Sequence, residues 1–82
     1  MEEYRITGFV ARDKEDPYVN RDSDLFFGQK KPYFDEDLEM WCDYGEFVTS
    51  LPKEWYPNLK YTDNPIEVEV IIRPINNIQN PT

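Results

Sequence analysis

The sequence predicts a mainly β domain (a β-rich α+β fold at most), built as a small antiparallel meander or barrel-like sheet of about five strands. Three observations predict it. Residues 65–74 alternate, placing Ile66, Val68, Val70 and Ile72 on one face of an extended backbone and Glu67, Glu69 and Arg73 on the other. A period of two with β-branched residues on the apolar side marks a half-buried strand. Further short apolar runs recur along the chain, separated by turn residues at intervals of about ten. Finally, thirteen of the 82 residues are aromatic. Each can bury about 150–250 Å², which supplies volume to a chain short enough to bury only about 60–65% of its unfolded surface.

Taken in order, residues 4–12 read as the first strand, with Tyr4, Ile6 and Val10 on one face and Arg5, Thr7, Phe9 and Ala11 on the other. Gly8 inside it marks a bulge or a close backbone approach. Residues 13–23 form a polar loop rich in Asp and Asn, in which Pro17 interrupts and Tyr18 and Val19 are the sizeable apolar side chains. Residues 24–28 are a short second strand, broken by the run from Gln29 to Pro32; Tyr33 and Phe34 continue the pairing after it. An acidic turn at 35–37 leads to a third strand over 38–42, with Leu38, Met40 and Cys42 facing inward and Glu39 and Trp41 opposite. Asp43-Tyr44-Gly45 reads as a hairpin connection with glycine where positive φ is needed. Residues 46–50 are a fourth strand.

The character then changes. Pro52 suits the first position of a helical turn, Ser50 is placed to cap it, and Pro57 stops it, so residues 51–57 predict one short helical turn with Leu51 and Trp55 inward. A loop over 58–64 precedes the last strand. Residues 1–75 make one domain and 76–82 a polar tail.

The formal charge is −8, seventeen acidic residues against nine basic. This disfavours direct contact with nucleic acid, whose phosphates reward clustered Lys and Arg, and equally an anionic membrane surface. It favours solubility and attraction to a basic protein surface. A single cysteine, no opening apolar leader and no run approaching about 18 apolar residues point to a cytoplasmic chain. The absence of histidine removes Ser-His-Asp, Cys-His and histidine-zinc chemistry.

Two carboxylate groups stand out. One comprises Asp35, Glu36, Asp37 and Glu39; the other Asp13, Glu15, Asp16, Asp22 and Asp24. Neither has the spacing of a calcium loop, and both read as solvated turns. A glycosidase-type carboxylate pair needs a sugar cleft that so short a chain does not enclose. Cys42 lacks a histidine partner and reads as a buried structural thiol. No cofactor is predicted. Trp55-Tyr56, between two prolines, reads either as core or as a rigid exposed anchor of the kind that dominates interfaces.

Gly8-Phe9-Val10-Ala11-Arg12-Asp13-Lys14, Leu25-Phe26-Phe27-Gly28 with Lys31-Pro32, the run from Trp41 through Leu51-Pro52 with Trp55-Tyr56-Pro57-Asn58-Leu59, and the closing Val68-Glu69-Val70 strand together resemble short uncharacterised proteins of phage and mobile elements in Bacteroidetes. In those, an "ARDK" strand, an "LFFG-KP" strand and an "LP-FP-L" segment precede a "VEV-I" strand. The resemblance implies an origin in mobile DNA and no defined activity; Trp55-Tyr56 stands where a simpler aromatic-proline pair is usual. The resulting expectation is a non-enzymatic, acidic protein-binding module, acting through Trp55, Tyr56, Asp35, Glu36, Asp37, Glu39, Glu67 and Glu69. A specific form is a charge-mimic inhibitor of a basic host protein. The alternative is an assembly accessory protein that self-associates.

Overall fold

A computed structural model describes residues 3–15 and 22–75. The predicted 76–82 tail, and Pro17, Tyr18 and Val19 of the first loop, lie outside the described residues. The described residues form six strands: β1 (Tyr4–Arg12), β2 (Leu25–Gly28), β3 (Tyr33–Asp35), β4 (Met40–Cys42), β5 (Val48–Leu51) and β6 (Ile66–Ile72). All pairings are antiparallel. Strand order, which the sequence leaves open, is β5-β2-β1-β6 in one sheet, with β3-β4 as a separate two-stranded ribbon. Three neighbouring antiparallel strands, with a fourth returning beside the first, is Greek-key order.

Register explains both faces. Val10 lies opposite Phe27 on one side and Ile66 on the other, and Phe27 opposite Thr49. Residues directly opposite share a face, so the first face gathers Val10, Leu25 and Phe27. The long connection from β5 to β6 crosses this face and drops Leu59 onto it, while Leu51, Ile66, Val68 and Val70 pack around the cluster. The half-buried state of Val68 and Val70 is the one the alternation predicts. The second face centres on Ala11 and is covered by Trp41 and Tyr44, with Phe26 and Phe34 beside them. The β3-β4 ribbon therefore lids the second face, and the 52–65 connection lids the first.

Two glycines allow close packing, one on each face. A Cβ on Gly8 would strike the Phe27 ring and the Gly28 carbonyl, and one on Gly28 would strike Tyr44. Pairing runs unbroken through Gly8 opposite Val68, so Gly8 is a close approach and not a bulge.

Several expectations are corrected. The third strand begins at Met40, because the Asp35 carboxylate accepts from the Asp37 and Leu38 amides (2.9 and 3.0 Å) and holds residues 36–39 in a turn that ends with Glu39 at φ 55°. Its inward side chain is Trp41, with Leu38 and Met40 exposed. The indole outcompetes them because it can lie on the small Ala11 platform while meeting Phe34 edge-on at 5.3 Å. Asp43-Tyr44-Gly45 is not a hairpin: β4 and β5 belong to different sheets, and this segment carries the chain between them. Gly45 does adopt positive φ, at 95°. The 51–57 segment carries a single Trp55 N–H to Pro52 carbonyl turn bond (3.1 Å) and no helix. Ser50 caps nothing; it pairs with Phe26 inside β5. The capping-type hydroxyl is Ser23, which accepts from the Leu25 amide and donates to the Leu51 carbonyl.

Candidate partner-binding surface

The inward face of β1 ends on a cation. Arg12 shares the parity of Val10, and its side chain is only 13% exposed. A guanidinium there must be fully satisfied, since burying it unpaired costs several kcal/mol. It is: one Nη donates to Asp24 (2.7 Å), Nε donates to the Leu59 carbonyl (2.7 Å), and the other Nη reaches the carbonyls of Trp55 (2.8 Å), Tyr56 (3.2 Å) and Lys53 (3.3 Å). One planar fork therefore gathers four main-chain carbonyls and fixes the course of residues 53–59. The Leu59 N–H to Tyr56 carbonyl bond (2.9 Å) closes the second half of this segment, with Tyr56 at φ 52°.

The consequence is an outward display. With its carbonyls drawn toward Arg12, the segment turns Trp55 and Tyr56 to solvent, 53% and 40% exposed. Trp55 is thus not the inward residue of a helical turn. Two open concavities flank the display. One, of about 590 Å³, includes Arg12, Lys53, Lys60 and Tyr61; the other, about 470 Å³, includes Tyr56, Pro57, Leu59 and Ile66.

The predicted carboxylates fall elsewhere. Glu67 and Glu69 lie opposite Phe9 and Thr7, on the second face, the side lidded by the ribbon that carries Asp35, Glu36, Asp37 and Glu39. The structure thus brings all six carboxylates to one side of the sheet and leaves Trp55 and Tyr56 with the lid of the other. They are not equally available. Asp35 is committed to its turn, Glu39 bridges Lys14 (3.0 Å) and Glu69 bridges Arg5 (3.4 Å), while Glu36, Asp37 and Glu67 stand exposed.

Two residues of the second acidic group are not solvated turns. Asp24 pairs with Arg12. Asp13 is buried, its amide donating to the Asp24 carbonyl (2.8 Å) and its carboxylate accepting the Trp41 amide (2.9 Å), which ties β4 to the end of β1. A charged residue at an inward parity, followed at once by an acid, is the signal in the sequence that could have found this pair of clamps. Cys42 is half-buried, not buried; removal from water, then the nearby Asp35, Asp13 and Asp43 charges, push its thiol pKa up. That keeps it protonated and a poor nucleophile.

Among the described residues no His, Cys, Asp or Glu trio is arranged to hold a metal ion, and no helix is long and apolar enough to cross a membrane. No protein-family model, curated protein or solved structure matches the chain.

Proposed function

We propose that this protein is a small acidic protein-binding module of phage or mobile-element type, anchored on its partner by Trp55 and Tyr56. The observation that carries the reading is that these two large side chains are exposed on a backbone already fixed by Arg12. An ordered aromatic pair loses little entropy on docking and is the residue type that dominates interface energetics. The carboxylates on the far side of the sheet supply long-range attraction, so the preferred partner presents a basic surface. In its most specific form the module works in the cytoplasm as a charge mimic, occupying the basic groove of a nucleic-acid-binding protein.

Affinity capture with wild type, with Trp55→Ala/Tyr56→Ala, and with Glu36→Lys/Asp37→Lys tests this. The expected result is one basic partner, lost with the aromatic variant and retained less well by the charge variant. That partner should elute as ionic strength rises, because screening weakens exposed charge pairs. Undiminished binding by the aromatic variant overturns the anchor; salt-insensitive binding overturns the electrostatic part.

A further inference from the structure

We propose that the outer edge of β6 pairs antiparallel with β6 of a second copy, about a two-fold axis at Val70, joining two four-stranded sheets into one. Among the described residues no strand covers that edge: β6 is terminal in the order β5-β2-β1-β6 and pairs only with β1. It is also long and apolar, and Ile71 and Ile72 are exposed at its end. Such an edge is a template for further pairing unless something blocks it.

The main-chain direction of each residue follows from the register. The Asp13 amide bonds the Asp24 carbonyl, so odd-numbered groups of β1 point toward β2 and even-numbered ones toward β6. Tyr4, Ile6, Gly8 and Val10 face Ile72, Val70, Val68 and Ile66. Those even residues of β6 thus spend their N–H and C=O groups inward, and Glu67, Glu69, Ile71 and Arg73 point theirs outward. A partner strand must match odd with odd, which confines a symmetric pairing to axes on a residue.

Charge then selects among them. An axis at Val68 sets Glu67 against Glu69 of the other copy, and an axis at Glu69 sets that residue against itself; like charges directly opposite are destabilising. An axis at Val70 sets Glu67 against Arg73 twice, Glu69 against Ile71, and Val68 against Ile72. It leaves no like-charge pair, and it continues the half-buried row of Ile6 and Val70 across the junction. An axis at Ile71 pairs Glu69 with Arg73 but drops Glu67 and Val68 from the ladder. Among the described residues the exposed Arg73 has only a 3.6 Å contact with Glu3, and Glu67 has no ion pair at all. The edge is therefore self-complementary at one register. Trp55 and Tyr56 take no part, so the pairing stands or falls separately from the anchor.

Sedimentation equilibrium between about 10 µM and 1 mM tests it. The expected result is a reversible rise from monomer to dimer mass. Arg73→Glu should weaken association about tenfold, since two attractive cross-strand pairs become repulsive, and Glu67→Arg/Arg73→Glu should restore it. Amide exchange on wild type gives a second reading that needs no variant. Glu67, Glu69 and Ile71 amides should gain protection with concentration, whereas Val68 and Val70 amides should be protected throughout. A monomer across the whole range, an open-ended series of larger species, failure of the folded double variant to re-associate, or concentration-independent exchange at Glu67 and Glu69 overturns the proposal.

Discussion

The two halves of β1 belong to one unbroken strand yet live in different environments. From Phe9 to Arg12 the strand pairs with β2, at Phe9 and Val10 with β6 on the other edge as well, and has a lid over each face; Val10 and Ala11 are 1% exposed. From Tyr4 to Gly8, among the described residues, only β6 accompanies it, and Tyr4 is 63% exposed. Each half carries an arginine. Arg12 is enclosed and holds five acceptors, whereas Arg5, 56% exposed at its side chain, touches two glutamates at the surface. The difference teaches that burial here is conferred by neighbours in space and not by the strand's own alternation, which is similar in both halves.

The sharpest way to break this contrast is to remove each arginine in turn. Arg12→Ala should cost about 3–5 kcal/mol, because it strands Asp24 and frees four carbonyls together; Arg5→Ala should change stability by about 0.5 kcal/mol or less. Urea denaturation reads both. Arg12→Lys should recover only part of the loss, since an ammonium cannot reproduce the planar fork. Equal effects at positions 5 and 12 would dissolve the comparison. The same pair of positions separates stability from binding: Arg12→Ala should also weaken partner capture by releasing the Trp55-Tyr56 turn, although it touches neither side chain's exposed face.

Apolar truncation sharpens the picture next. Leu25 is fully buried and Leu25→Ala should cost about 2–5 kcal/mol, whereas Ile72→Ala, at the open end of the β1-β6 ribbon, should cost under about 1 kcal/mol in the monomer. Gly28→Ala falls between them at about 1–3 kcal/mol, because the added methyl must displace Tyr44 from its seat. If Gly28→Ala is silent, the ribbon lid is looser than its packing implies; thermal unfolding of the three variants orders them.

Trp55→Ala should shift stability by only about 0.5 kcal/mol while abolishing capture, the reverse of what a core tryptophan would do. The smallest effect is expected at Cys42. Its folded pKa is raised, so the thiol's contribution is fully present below the unfolded value of about 8.5 and is lost as pH climbs through the folded value. Stability should therefore decline as pH rises above the unfolded value in wild type, and less in Cys42→Ser. Slow alkylation by iodoacetamide at neutral pH, relative to the unfolded chain, checks the same shift.

Much of this architecture was legible in the residues alone. Alternation located β6 and its faces, residues 24–28 announced a short strand, Gly8 marked either a bulge or a close approach, and Gly45 a positive φ. The acidic turn after Tyr33-Phe34 was also readable, because Asp at a turn's first position caps the amides that follow it. What misled was local pattern where a distant partner decides. Trp41 reads as the outward residue of its strand until Ala11 offers it a flat seat. Arg12 reads as the polar end of a strand until four carbonyls from 41 to 47 residues away converge on it. Trp55 reads as inward until those same carbonyls turn it out.

Chain chemistry by itself therefore determined that this is an acidic, antiparallel β protein without histidine chemistry, because side-chain alternation and formal charge are properties of consecutive residues. Only the tertiary structure decided the Greek-key order, the separation of the carboxylates from the exposed aromatics, and which strands, β5 and β6, end the sheet. Those features arise from pairings between segments far apart in the chain, whose free energies depend on contacts that no local stretch of sequence contains.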